Sequence, residues 1–253
     1  DPDGGVAGDV LFASDEVELT SSTVEANTTV DGYVAHAGGR MVVTDSTIST
    51  NGPQTAALLG EAGLDVTDSD LHDNTGILGP ATSGCDLVLD GVTVTGNHAT
   101  QLAGVGGSEG TTYLIDSTLS GNSSDGDSGA IVASAISATG SAVTENVAAG
   151  DGGGLLVDIE HKDRPDDCAP QPLLPSVAEG TTLLDESAVQ GNVAGGDGGG
   201  VRTLHLEAEG STIAGNEAVG HGGGLAVDLV TSVRNSTVTS NRAHTGGGIA
   251  TFG

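Results

Sequence analysis

Aromatic residues are scarce in this sequence. Its 253 residues include two Tyr, two Phe and no Trp, which stand at Phe12, Tyr33, Tyr113 and Phe252. Because aromatic side chains supply the largest buried areas in most protein cores, this scarcity excludes a core built on them. Hydrophobic residues make up 36% of the chain, so the core must consist mainly of Val, Ile, Leu and Ala side chains.

Basic residues are equally few. Six Lys and Arg against 35 Asp and Glu give a formal net charge of −29, and Lys162 is the only lysine. Without a basic stripe, the chain is not expected to bind nucleic acid through its phosphates. An acidic surface of this kind is typical of proteins that stay soluble in concentrated salt, where repulsion is screened. A secreted protein from a high-GC organism would have a similar composition.

Long apolar runs are missing as well. No run approaches the roughly 18 residues of a transmembrane helix, so we expect no membrane-spanning segment. The two cysteines, Cys85 and Cys168, suit a single disulfide in an oxidising compartment. A secreted or cell-surface location is therefore predicted. The opening residues, Asp1-Pro2-Asp3, lack a signal peptide and are expected of a mature protein or an excised fragment.

A repeat of about 24 residues runs through the chain. Asparagine recurs at intervals of 23 to 25 residues, with one interval of 46, at Asn27, Asn51, Asn74, Asn97, Asn122, Asn146, Asn192, Asn216 and Asn241. An aliphatic residue stands three positions before each Asn, and Ser stands five positions before it except at Val92. In later copies three glycines and an aliphatic residue follow, as in Gly152-Gly153-Gly154-Leu155.

This unit predicts an all-β fold. Apolar residues alternate at period two, many are β-branched, and Gly and Asn interrupt them. Helical periodicity is absent, and a β-propeller blade needs about 40 residues. The pattern therefore indicates a single-stranded, right-handed parallel β-helix, that is, one chain wound into a solenoid with about 24 residues and three short strands per coil.

Coil stacking assigns a role to each repeated residue. Because successive coils lie about 4.8 Å apart, equivalent side chains form ladders along the axis. We expect the aliphatic residues to build the core and the nine Asn to form a structural ladder, each Asn in the left-handed conformation at a turn and bonded to the next Asn. The glycine triplets are expected to supply unusual dihedrals at the following corner.

The 46-residue interval is interpreted as one coil that carries an insertion at about 160–180. This segment contains four prolines, which central strands do not accommodate. The rest of 1–253 is expected to be one β-helix domain. We also expect a disulfide between Cys85 and Cys168 to clasp the insertion to the shaft, because both segments reach the same corner of the coil, three coils apart.

The combination of Gly-Gly-Gly-aliphatic with Thr-aliphatic-x-x-Asn resembles the repeats of polymorphic outer-membrane proteins and related bacterial surface β-helices. Their motifs are Gly-Gly-Ala-aliphatic and Phe-x-x-Asn; here Gly replaces the Ala, and Val, Ile or Leu replaces the Phe. The resemblance covers residues 17–253. It implies a secreted or surface-displayed passenger that acts in adhesion. The C-terminal barrel translocator of that family is not present in this sequence.

Polysaccharide lyases and hydrolases are the enzymes that this fold most often carries, and they form the alternative. Gly220-His221-Gly222 and Asp166-Asp167 superficially match motifs of polygalacturonase-like hydrolases. His221, however, occupies the repeat position of Asp151 and Asp197, so we interpret it as a structural variant. Asp166-Asp167 is interpreted as solvated charge in the insertion. The seven His show no metal-ligand spacing, no catalytic residue is nominated, and no cofactor is expected.

Calcium is the one metal that the sequence suggests. Asp151 and Asp197 precede glycine triplets, and Asp125 and Asp127 lie in a similar turn. Hard oxygen ligands on turns suit Ca²⁺. The nine-residue calcium-binding repeat is missing, and solvated carboxylates are the alternative interpretation.

The sequence thus predicts a non-enzymatic extracellular structural or adhesive β-helix, with a polysaccharide lyase or glycoside hydrolase as the alternative. Other surface proteins or glycans are expected partners, with the insertion as the contact. The last residues, Gly246 to Gly253, end in mid-unit without a cap. We therefore expect this end either to continue into a further domain or to dock end to end on another copy.

Overall fold

The computed structural model describes residues 9–29, 32–53, 55–158, 168 and 174–252. In these residues the chain forms thirty β-strands and no helix. The strands pair in parallel in three sheets, and six of the nine coils contribute in turn to all three, whereas the first two and the last contribute only to the first and second. The predicted all-β parallel solenoid, with about 24 residues and three strands per coil, is confirmed. Its right-handedness stays a prediction from the crossover rule.

The first sheet contains fifteen strands. They are β1 (Leu11–Ala13), β2 (Val17–Thr20), β4 (Tyr33–Ala37), β5 (Arg40–Thr44), β7 (Ala56–Gly60), β8 (Gly63–Thr67), β11 (Ala81–Ser83), β12 (Leu87–Asp90), β15 (Gly106–Ile115), β18 (Ile131–Thr139), β21 (Leu155–Val157), β22 (Thr181–Asp185), β25 (Val201–Glu209), β28 (Leu225–Arg234) and β30 (Ile249–Thr251). Early coils divide their part of this sheet into two strands, whereas most later coils cross it with one long strand.

The second sheet has nine strands and the third has six. The second consists of β3 (Thr23–Glu25), β6 (Thr47–Ser49), β9 (Asp70–His72), β13 (Thr93–Thr95), β16 (Thr118–Ser120), β19 (Ala142–Thr144), β23 (Ala188–Gln190), β26 (Thr212–Ala214) and β29 (Thr237–Thr239). The third consists of β10 (Thr75–Gly76), β14 (His98–Ala99), β17 (Ser123–Ser124), β20 (Val147–Ala148), β24 (Val193–Ala194) and β27 (Glu217–Ala218).

The core is a continuous aliphatic column inside the three sheets. Period-two alternation directs one side chain of each short strand inward, so Val94 stacks between Leu71 and Leu119 of the adjoining coils. All three side chains are fully buried. One cluster of such residues extends from Val17 to Val227. The fold therefore needs no aromatic core, because equivalent aliphatic residues pack on one another along the axis.

The nine repeated asparagines form an unbroken hydrogen-bonded row. In all eight steps the side-chain nitrogen Nδ2 donates to Oδ1 of the Asn in the next coil at 2.9 to 3.0 Å. The same Oδ1 also accepts the backbone N–H of the preceding Asn, as Asn97 accepts that of Asn74. From Asn51 to Asn216 these side chains are buried. Each amide thus satisfies backbone and side-chain groups that the bend leaves unpaired.

The expectation that Asn itself takes the left-handed conformation is wrong. The residue before each ladder Asn has a positive φ instead, at Ala26, Thr50, Asp73, Gly96, Gly121, Glu145, Gly191, Gly215 and Ser240. A second left-handed row turns the chain out of the first sheet, at Ser21, Asp45, Asp68, Gly91, Asp116, Gly140, Glu186, Gly210 and Asn235. Because the preceding residue bends the backbone, the Asn side chain can point along the axis toward the next coil.

A serine row that repeats with the Asn row also has a structural role. Each Ser follows a left-handed corner, and its Oγ accepts the backbone N–H of the equivalent residue one coil earlier, as Ser46 accepts that of Ser22 at 3.0 Å. The hydroxyl in turn donates to the carbonyl two residues before it, here Thr44. Val92 lacks the hydroxyl but donates its own N–H to Ser117. The repeated Ser therefore caps corner N–H groups between coils.

The glycine triplets meet two different demands. The first glycine has a positive φ, which is 66° at Gly152. The second lies against the next coil, because a Cβ on Gly153 would come within 2.3 Å of the Gly199 carbonyl oxygen. Only glycine fits such a close approach without moving the backbone.

Val143 pairs directly with Val189, and Asn146 bonds to Asn192 across 46 residues. The long interval is therefore a single coil. Val157 aligns with Ala133, and Thr182 aligns with Ile136. Two residues lie between Ala133 and Ile136, whereas 24 lie between Val157 and Thr182, so 24 − 2 = 22 extra residues interrupt this strand of the first sheet.

Replacing Asn97 with Ala should destabilise the fold by about 1–3 kcal/mol, because it leaves buried donors and acceptors of two coils unpaired. The exposed Thr93, on the neighbouring strand, provides the control, and Thr93→Ala should stay within about 0.5 kcal/mol of wild type. Urea unfolding monitored by circular dichroism measures both. Equal effects would show that the Asn row adds no stability beyond that of a surface side chain.

Candidate functional site

The insertion is attached to the outer face of the first sheet at two points. A disulfide joins Cys85, which precedes β12, to Cys168, and the two Cα atoms lie 5.5 Å apart. Further along, the hydroxyl of Tyr113 on β15 donates to the carbonyl of Pro175 at 3.0 Å. The insertion leaves the shaft at Asp158, so these attachments bring it back over earlier coils.

Much of the insertion lies outside the described residues. Lys162, Arg164 and the Asp166-Asp167 pair are among them, so the comparison of that pair with hydrolase motifs has no structural counterpart here. Cys168 and the segment from 174 onwards are described. They show that the insertion returns to the shaft at Gly180, whose N–H donates to the Ser134 carbonyl at 2.8 Å.

Three of the four acidic residues considered for calcium form a row of their own. The Oδ1 atom of Asp127 accepts the backbone N–H of Asp151 at 2.9 Å. Asp151 accepts the N–H of Asp197 at 2.7 Å, and Asp197 accepts that of His221 at 2.7 Å. His221 thus occupies the end of the Asp row. Sequence reasoning recognised the shared repeat position but not this hydrogen bond.

The fourth candidate, Asp125, is placed differently. Its carboxylate lies 3.5 Å from Nε2 of His98 and takes no part in the row. Among the described residues no group of three His, Cys, Asp or Glu side chains is arranged to hold a metal ion. The carboxylates of the row instead pair with backbone N–H groups, which gives a structural reason for acidic residues before the glycine triplets.

The Asp row borders a groove on the outside of the first sheet. The groove has a volume of about 430 Å³, and Asp127, Asp151, Asp158, Asp228 and Arg202 contribute its charged side chains. Nη2 of Arg202 lies 3.0 Å from Oδ2 of Asp228.

The Arg202 guanidinium also packs 5.6 Å from the centre of the Phe252 ring. His221 meets the same ring edge-on at 5.4 Å. These contacts fix the one cationic side chain among the residues that line the groove.

A second cavity continues along the same face. It has a volume of about 220 Å³ and shares Asp158 with the first. Its wall includes Leu102, Ala103 and Val132, which form a small apolar cluster with Leu156 outside the main core. Together the cavities form a surface with a carboxylate-rich part and an apolar part. Residues from six coils line it, so the repeat alone did not reveal it.

A separate polar cluster lies on the first coils. The two ring nitrogens of His36 lie 2.9 Å from Asp9 and 3.0 Å from Glu61. Phe12 and Tyr33 each pack against the His36 ring at 5.1 Å. Burial of Tyr33, with the nearby charges of Asp9 and Glu61, raises the pKa of its hydroxyl above the ordinary value. This cluster joins the first three coils, because Asp9, His36 and Glu61 belong to successive coils.

No protein-family model matches this chain, and neither a curated protein nor a solved structure resembles it at a significant level. A search of the described residues for a helix long and apolar enough to cross a membrane found none.

Removing the clasp should lower stability. The Cys85–Cys168 disulfide closes a chain separation of 83 residues, so a C85S/C168S variant should lose about 2–5 kcal/mol. Urea unfolding compares it with wild type. As an independent check, neither thiol should be alkylated in the denatured, unreduced protein. Labelling of both would show that the disulfide does not form.

The Asp row should depend on an oxygen acceptor and not on charge or calcium. Asp151→Ala removes the acceptor of the Asp197 N–H and should cost about 1 kcal/mol, whereas Asp151→Asn keeps an amide oxygen and should cost less. Melting temperatures with EDTA and with millimolar Ca²⁺ complete the experiment. A specifically bound ion would raise the wild-type melting temperature, and such a rise would contradict the structural assignment.

Proposed function

We propose that this protein is a secreted or cell-surface structural or adhesive element, in which a rigid β-solenoid presents a non-repeating insertion to a partner. The observation that carries the proposal is the attachment of this insertion. The disulfide joins Cys168 to Cys85 of an earlier coil, and Tyr113 holds Pro175. Cys168 and Pro175 are thereby held against the shaft.

Three further features support an extracellular role. A disulfide is stable in an oxidising compartment. The formal charge of −29 favours solubility where salt screens repulsion. The repeat resembles that of polymorphic outer-membrane proteins, whose passengers act in adhesion. Repeated coils present similar surfaces many times, whereas the insertion occurs once. The insertion therefore supplies the specific contact with a surface protein or glycan.

The groove favours a second candidate function, a polysaccharide lyase or glycoside hydrolase of the parallel β-helix type. Four Asp side chains and Arg202 line one cavity of about 430 Å³, and carboxylate pairs are the usual catalytic groups of glycoside hydrolysis. The arrangement of the Asp residues speaks against this alternative. Asp127 and Asp151 use their Oδ1 atoms to hold the backbone of the next coil, and Arg202 is paired with Asp228.

Deletion of residues 159–180 tests the adhesive role. It removes the 22 extra residues and leaves Asp158 and Thr181 to complete the strand as in the coil before. Combined with Cys85→Ser, the deletion should abolish binding to immobilised cell-surface proteins or to a glycan array while preserving the β-sheet circular dichroism spectrum. The matched control is C85S/C168S, which lacks the clasp but keeps the insertion. Unchanged binding by the deletion variant would reject the insertion as the contact.

Reducing-end release from a panel of acidic and neutral polysaccharides, with Ca²⁺ present, separates the two candidates. The adhesive role predicts no turnover by wild type or by a D158N/D228N variant. Turnover by wild type that this variant loses would establish the enzymatic alternative.

A further inference from the structure

In the described residues, the first and the last complete coil leave the core incompletely covered. Five hydrophobic residues pack against the core cluster but stay partly exposed, namely Ala13, Leu19, Val24, Val233 and Val238. All five lie in the first or the last complete coil. The core rows are therefore open at both ends of the described shaft, and each open end exposes strand edges that can pair further.

The exposed residues at the two ends belong to the same rows of the repeat. Leu19 pairs with Val43 at the start of a row, and Val233 pairs with Ala208 at its end. Val24 and Val238 stand at the two ends of the row through the second sheet. If the first coil of a second copy were stacked on the last coil, its Leu19 would pack on Val233 and its Val24 on Val238.

The polar rows end in complementary groups. Each Asn donates its N–H to Oδ1 of the Asn in the next coil, and the last such bond runs from Asn216 to Asn241. Among the described residues, the N–H of Asn241 has no such acceptor, and Oδ1 of Asn27 receives no such donor. The serine row ends in the same way at Ser236 and Ser22. One end therefore presents donors where the other presents acceptors.

The charges of the two ends are opposite as well. Within 9–29 the sequence has five acidic residues and no Lys or Arg: Asp9, Asp15, Glu16, Glu18 and Glu25. Within 229–252 it has Arg234 and Arg242 and no Asp or Glu. This basic end is unusual in a chain whose formal charge is −29.

We propose that the last coil of one copy docks head to tail on the first coil of a second copy. Strands β28 and β29 of the first then pair with β2 and β3 of the second, and the Asn row continues from Asn241 to Asn27. The same register places Arg234 beside Thr20 and Glu18. Because this contact joins two different surfaces that face opposite ways along the solenoid axis, it repeats without closing and produces a filament. It rests on the structural role proposed above.

One strand must leave the junction. β30 and β1 occupy the same position in the repeat. One row of paired residues along the first sheet begins with Leu11 and ends with Leu225 and Ile249. We assign that position to β30. In β1, Leu11 and Phe12 are 42% and 59% exposed, whereas Ala250 in β30 is buried. Displacing β1 separates Asp9 and Phe12 from His36, and the strand pairs, the Asn row and the opposite charges of the junction must offset that loss.

Charge-swap variants test the junction in the full 253-residue chain. Sedimentation velocity and electron microscopy should show linear filaments of wild type that increase from low to moderate salt, as net repulsion is screened. R234E/R242E and E18R/E25R each create a junction of like charges, which should raise the concentration needed for assembly at least about tenfold. A one-to-one mixture of the two variants restores opposite charges at every junction and should form filaments again.

The controls separate the junction from net charge and from folding. R234Q/R242Q and T93E/T118E change the net charge equally, but only the first should weaken assembly. All variants should keep the wild-type melting temperature. In wild-type filaments, amide hydrogen exchange should slow in 229–241 and 17–27 and remain unchanged in 93–144.

A monodisperse monomer at every salt concentration would overturn the proposal. Side-by-side aggregates, or filaments that the charge swaps leave unchanged, would overturn it as well. The R234E/R242E variant also distinguishes this inference from the proposed function, because adhesion through the insertion should persist in that variant as a monomer. Loss of binding by the insertion deletion, in contrast, concerns the adhesive role and leaves the filament result unaffected.

Discussion

The structure depends on one constraint: the side chain of each repeated Asn must reach the Asn of the next coil. Its amide bonds at 2.9 to 3.0 Å in all eight steps, which leaves little tolerance in register. Asn27 stands ten positions after Val17, and Asn241 stands ten positions after Thr231, the last equivalent of Val17. The same spacing holds in every coil between. Differences in coil length therefore occur outside the stretch between the Val17 row and the Asn row. The insertion also lies outside this stretch.

Residues that recur at one spacing could be predicted, whereas residues that depend on contacts between rows could not. The Asn positions gave the period, the strand direction and the number of coils. The left-handed residue was misassigned because Ala26, Thr50 and Glu145 carry no sequence signal for a positive φ. They adopt it at the bend between a strand of the second sheet and the ladder Asn that follows. The serine bonds were missed for the same reason, since a repeated Ser on its own does not reveal which N–H it caps.

The groove was beyond sequence analysis because its lining comes from different coils and from different positions in the repeat. Asp158 is the last residue before the insertion, and Asp228 lies in a strand two coils later. Sequence reasoning placed Asp127, Asp151 and Asp197 in equivalent turns and considered Ca²⁺. The structure directs their Oδ1 atoms to backbone N–H groups, so their repetition has a structural cause.

A solenoid transmits little over distance, because each coil contacts chiefly its neighbours. The clasp is different. Cys85 lies in the fourth coil, and Cys168 belongs to the insertion of the seventh, so the disulfide joins coils that have two others between them. A force on Cys168 is thereby passed both to the coil of Cys85 and, through the chain, to the coil that carries the insertion. This coupling fits the adhesive role proposed above, in which the contact must resist load.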